Sequence, residues 1–186
     1  MPSVVDICNM SLDKVGQTAI ISLEDGNKAA DLCARNWPLV RDEVLRAHPW
    51  NFAMRRTTLA PDAEAPAWGY TYQSTLPTDF LRVVELNDLL PDEYQIEGGK
   101  VQSNESVLYL RYITRVEDPN QYDAQFVTTA ALRLAAENVE ALTQSSSKKK
   151  LLLAEYRDAL NAATFTDGQE NPTALLDTDS WEQVRY

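Results

Sequence analysis

Trp50-Asn51-Phe52-Ala53-Met54-Arg55 is where the periodicity of the chain changes. Before it, as far as His48-Pro49, apolar residues recur at helical spacing. From Trp50 onward, Trp50, Phe52 and Met54 alternate with Asn51, Ala53 and Arg55, the two-residue period of a half-buried strand. Past Asp118-Pro119 the helical period returns. The order is therefore helices, a β-rich middle, then helices, which makes the fold class α+β.

Upstream, Ser3-Val4-Val5-Asp6 reads as a helix cap followed by an acid three residues on. Val5, Cys8, Leu12 and Val15 form one stripe, and Gly16 supplies the stop. The turn-rich Glu24-Asp25-Gly26-Asn27 precedes a second helix, to about Ala47, with Cys33, Trp37, Val40, Val44 and Leu45 on one face. Pro38 lies inside it and lacks an amide donor, so a kink or local break is expected there.

Downstream, aromatic and β-branched residues in 68–75, 80–87, 93–97 and 107–116 read as strands between prolines and polar turns. Gly98-Gly99 between Ile96 and Val101 marks a hairpin, and Ser103-Asn104-Glu105-Ser106 a second turn. Phe126, Ala130, Leu134, Val139 and Leu142 then open a helix pair joined by the short break Thr143 to Ser147, an antiparallel arrangement. Lys148-Lys149-Lys150 beside three leucines is read as a solvated helix face rather than a phosphate site.

These readings give one domain over 1–163, with helices at about 3–16, 27–48, 123–143 and 146–163 around a small antiparallel β-domain at about 50–116. Residues 164–186 show no sustained period and are expected to form an extended C-terminal arm. Trp181 and Tyr186 near the end of that arm are useful only if they dock, and a neighbouring subunit is the favoured surface. Candidate partner-binding residues are Trp181, Val184, Arg185 and Tyr186, together with Trp68 and Tyr70 in the β-rich part.

Composition narrows the function classes. A net charge of -11 and a pI near 4.5 oppose direct affinity for nucleic acid, which requires a basic surface. A ring with an acidic lumen would still let a duplex slide through without sticking. No run is long and apolar enough for a membrane span, and Met1-Pro2-Ser3 leads into a helix pattern without a secretory signal, so synthesis in the cytosol is expected. Cys8 and Cys33 sit in apolar stripes without metal-ligand spacing and read as buried thiols.

Traces of catalysis are sparse. The single histidine, His48, stands at a helix end, and neither cysteine lies in a nucleophile motif. Gly98-Gly99-Lys100 lacks the flanking residues of a phosphate loop, and Asp123, Glu137 and Glu140 follow no calcium-loop spacing. No cofactor or metal is expected. The catalytic alternative is a glycosidase, which needs only two carboxylates across a sugar cleft. With 28 acids in the chain, and Trp68, Tyr70 and Tyr72 able to stack on sugars, no spacing singles out such a pair.

Ser22-Leu23-Glu24-Asp25-Gly26, followed by Ala29-Ala30 and the helix to Trp50-Asn51-Phe52, resembles the tail tubular protein A family of short-tailed phages, the head-to-tail adaptors or gatekeepers. Leu76-Pro77-Thr78-Asp79-Phe80-Leu81-Arg82-Val83 is similar to the next family segment, and Tyr109 to Asp118 with Phe126 opening a helix continues it. The resemblance implies a helical bundle beside a small β-domain, repeated as a homo-oligomeric, twelve-fold ring between the portal and the nozzle or tail tube. It implies a virion protein at the head–tail interface, assembled in the host cytoplasm. DNA would pass through the lumen without specific binding, and neither catalytic residues nor a membrane would be involved. The alternatives are a virion-associated peptidoglycan hydrolase and a tail-assembly factor that leaves before the particle matures.

Overall fold

Ser3 accepts a hydrogen bond from the Asp6 amide while the Asp6 carboxylate accepts from the Ser3 amide at 2.8 Å, closing a reciprocal cap. It starts α1 (Val4–Val15), which Gly16 ends at φ 73°, a left-handed conformation that suits glycine. The computed structural model describes residues 2–87 and 89–170. After α1 come α2 (Lys28–Ala47), a 3-10 turn (Asn51–Ala53), β1 (Met54–Leu59), β2 (Tyr72–Thr75), β3 (Phe80–Leu86), β4 (Tyr94–Glu97), β5 (Lys100–Ser103) and β6 (Leu108–Thr114). A second 3-10 turn (Pro119–Gln121), α3 (Ala124–Thr143) and α4 (Ser146–Glu170) complete the described chain. The architecture is α+β.

The six strands form two three-stranded antiparallel sheets, ordered β1-β6-β3 and β2-β5-β4. Gly98 (φ 56°) and Gly99 (φ 77°) connect β4 to β5 in a two-residue hairpin, with Glu97 opposite Lys100. The two sheets share a small core of Leu59, Leu76, Leu86, Val101, Leu108, Leu110 and Tyr112. α3 is the central helix and packs on α1, α2 and α4. Its buried Phe126, Ala130, Leu134 and Val139 join Cys8, Leu12, Cys33, Val44 and Leu45 in the larger core. β6 serves both: Leu108, Leu110 and Tyr112 enter the sheet core, while Ile113 enters the helical one.

The larger core contains an aromatic cluster. Phe126 lies 5.3 Å from both Trp50 and Phe52, edge-on, and 4.7 Å from Tyr122. The Trp50 indole N–H donates to the Val44 carbonyl at 2.9 Å, and the Tyr122 hydroxyl donates to the Val116 carbonyl at 2.9 Å. Burial pushes the Tyr122 phenol up to about 12.

Four sequence expectations change here. The strand expected from Trp50 begins only at Met54. Trp50 and Phe52 both turn into the aromatic cluster, and the 3-10 turn closed by the Ala53 amide on the Trp50 carbonyl at 2.9 Å lets them do so. Pro38 causes no break, and α2 runs from Lys28 to Ala47. Both Pro38 and Ala34, whose carbonyl loses its partner, are exposed, so the defect faces solvent rather than the core. The strand expected over 68–75 shrinks to Tyr72–Thr75, because Gly69 at φ 91° turns the chain just ahead of it. Finally, the arm expected from Thr164 is helical as far as Glu170. The Gln125 amide donates to the Thr166 hydroxyl at 3.0 Å, so packing on α3 carries α4 past residues of modest helix propensity.

Candidate interaction surfaces

The loop from β1 to β2 is held at both ends. Asp62 accepts from the Thr75 amide at 3.2 Å and pairs with the Lys100 ammonium at 2.8 Å, while its own amide donates to the Gln73 carbonyl at 2.8 Å. At the far end, Asn104 accepts from the Thr71 amide at 3.1 Å and the Thr71 hydroxyl at 3.0 Å. Between these anchors the Trp68 side chain is 85% exposed. Its neighbour Tyr70 is only half exposed, and its hydroxyl donates to the Asp92 carbonyl at 3.5 Å. Of these two candidates, Trp68 is offered outward and Tyr70 helps fasten the loop. The other four, Trp181, Val184, Arg185 and Tyr186, lie outside the described residues.

The Lys100 ammonium beside Asp62 holds that carboxyl below its ordinary range. A depressed carboxylate contributes above its unfolded pKa and loses that contribution as pH falls through the folded value. Asp62→Ala is expected to speed amide exchange several-fold at Thr75 and at residue 62 itself, whose amides make the two backbone anchors, leaving the helical core unaffected. Acidification should produce the same local loosening in the unsubstituted chain. Residue-resolved hydrogen exchange checks both, and equal protection in the variant would refute the anchoring role.

A second surface lies on the face of the β1-β6-β3 sheet turned away from the small core. Arg56 stands directly opposite Arg111, and Arg111 opposite Glu85, so two guanidiniums and one carboxylate share a row across three strands. They line an open groove of about 660 Å³ with Thr58, Asn87 and Tyr109. Tyr109 is 65% exposed, Arg56 is exposed, and the Arg111–Glu85 contact is a loose 3.5 Å. The sequence reading missed this groove. Its signal was available only through register, because Arg56 and Arg111 are far apart in the chain.

The helical part also exposes large apolar side chains, with Leu39 on α2 and Phe165 on α4 each 71% exposed. The lysine run is not a purely solvated face. Lys148 reaches the Val15 carbonyl at the end of α1, 2.9 Å away, and Lys149 pairs with Glu140 at 2.7 Å.

The chemistry-bearing residues take part in packing and hydrogen bonds. His48 is buried against Trp50, with ring centroids 4.9 Å apart, and its Nδ1 lies 3.3 Å from the Thr164 hydroxyl. Cys8 and Cys33 are buried and unbridged, and the Cys33 thiol together with burial pushes Cys8 up. Asp79, within one of the segments of family resemblance, accepts from the Tyr112 hydroxyl at 3.2 Å and from Thr114, and its carbonyl accepts the Arg115 amide. Asp25, within another, accepts from the Ile21 amide at 2.7 Å and the Ser22 amide at 3.0 Å. A glycosidase acid must be held protonated. Asp6, Asp62 and Asp118 are held the other way, by Ser3, Lys100 and Asn120 respectively. Among the described residues no group of three or more histidines, cysteines and acids is placed to hold a metal, and no helix is long and apolar enough to cross a membrane. No family model matches the chain, and no curated protein matches it.

Proposed function

We propose that the chain is the repeating subunit of a phage head-to-tail adaptor, a ring that joins the portal to the nozzle or tail tube and continues the DNA channel. The observation that carries this reading is the placement of exposed apolar side chains. Trp68 sits on an anchored loop of the β part, and Leu39 and Phe165 lie on two different helices, so several separate faces are ready for partners. A ring subunit must cover two lateral faces and two axial ones, and head-to-tail packing of unlike faces closes a ring. The family resemblance supplies the portal and tail as axial partners, the twelve-fold count and the virion location. Its segments also fall where the fold is tied together, at Asp25 and Asp79.

In this reading the β part makes axial contacts through Trp68, and the surface charge of an acidic protein keeps DNA sliding freely. The test is the mass of the protein with and without purified portal rings, by sedimentation and electron microscopy. The expected result is a discrete ring stacked on the portal, with Trp68→Ala weakening the stack by roughly tenfold or more. A chain that ignores portal rings at micromolar concentrations would refute the proposal. Protein analysis of finished particles separates a resident adaptor from a transient assembly factor.

A further inference from the structure

Two arginines facing each other across neighbouring strands are a cost, since like charges directly opposite destabilise a sheet. Arg56 and Arg111 occupy such a position on β1 and β6, and the only carboxylate in their row, Glu85, holds Arg111 at 3.5 Å. The chain as a whole carries 28 acids against 17 bases, which makes a groove with two outward guanidiniums the more unusual. Such a row is what a carboxylate-bearing partner would complete, because guanidinium and carboxylate pair in a planar, bidentate geometry.

The chain carries a fitting segment. Residues 171–186 include Asp177, Asp179 and Glu182 around Trp181, with Arg185 as their one base. The last described turns of α4 lie beside the start of the β part, since Thr164 touches His48 and β1 starts six residues beyond His48. From Glu170, Asp177 can lie up to ~25 Å away and Glu182 up to ~40 Å, at about 3.3–3.6 Å per residue. A body of this size is roughly 40 Å across, so the acids can reach an adjoining copy.

We propose that the groove of Arg56, Arg111 and Tyr109 receives the acidic C-terminal segment of a neighbouring copy. Asp177, Asp179 and Glu182 would neutralise the opposed arginines, and Trp181 would cover the exposed Tyr109 ring. Groove and segment are different surfaces, so each copy gives one and takes one, a head-to-tail contact that repeats around a ring. The inference deepens the ring reading and rests on it for a second copy, but it needs no portal.

The experiment reverses charges in the full-length chain. Arg56→Glu with Arg111→Glu should weaken self-association, followed by sedimentation velocity at low salt, on the order of 100-fold. Asp177→Lys, Asp179→Lys and Glu182→Lys together should do the same, and the five changes combined should restore the association. Raising NaCl to 0.5 M should weaken only the pairs that carry opposite charges. Circular dichroism monitors folding, and Arg56→Gln with Arg111→Gln serves where reversal disturbs the sheet. A parent chain that stays monomeric, reversals that leave the mass unchanged, or a combined variant that does not recover would each overturn the inference. Portal binding is measured separately: a chain that self-associates through this groove but ignores portals keeps the inference and loses the adaptor role. A chain that binds portals without using the groove does the opposite.

Discussion

Phe126→Ala is expected to destabilise the protein by about 3–5 kcal/mol, the range for deleting a fully buried aromatic ring. Phe126 is 0% exposed and touches the rings of Trp50, Phe52 and Tyr122 at centroid distances of 4.7–5.3 Å. Edge-on pairs of this kind contribute about 0.5–1.5 kcal/mol each beyond the area they bury. The site cannot collapse easily, because Trp50 and Tyr122 are each fixed by a hydrogen bond to a backbone carbonyl. Against a typical total of ~5–15 kcal/mol, the loss leaves a marginal fold, with melting lower by about 6–20 °C. Denaturant melts followed through tryptophan fluorescence measure it. A loss below about 1.5 kcal/mol would show that the cluster repacks around the missing ring.

The same cluster marks the boundary of what could be read from the sequence. Helix ends were legible because their causes are local: the Ser3–Asp6 cap, Gly16, His48-Pro49 and the hairpin glycines each act over a few residues. Core faces were legible for the same reason, and Cys33, Trp37, Val40, Val44 and Leu45 are all buried. Trp50 and Phe52 misled, because alternating large residues look like a strand when a 3-10 turn sends both rings into one cluster. Strand pairing was legible only at the hairpin of β4 and β5. β5 follows β4 in a hairpin yet also pairs with β2, and β6, next in sequence, belongs to the other sheet. The opposed Arg56 and Arg111 emerge only from that register, so the groove could not be anticipated. Trp68 was recognisable as a large residue in a proline-bounded segment, but its exposure depends on the distant anchors Lys100 and Asn104.

Ending the chain after Glu170 is expected to abolish ring formation while leaving the fold intact. All residues of both described cores lie between Ile7 and Ala163, so the shortened chain keeps every one of them. It also keeps the Gln125–Thr166 bond and the His48–Thr164 contact that fasten the last turns of α4. Its melting temperature should therefore stay within a few degrees of the full chain, whereas assembly on portals and self-association should fall below detection at micromolar concentration. An earlier stop, after Ala163, removes both of those contacts and confounds the result with fraying of α4. The contrast decides where residues 171–186 act. If stability drops by several kcal/mol on ending at Glu170, the segment docks on its own subunit. If rings still form on portals, the segment is dispensable for assembly and neither the groove of Arg56 and Arg111 nor Trp181 mediates the contact between copies. Unchanged melting with lost assembly is the outcome required of a segment whose binding site belongs to a neighbour, because its free energy then appears only at concentrations where the neighbour is present.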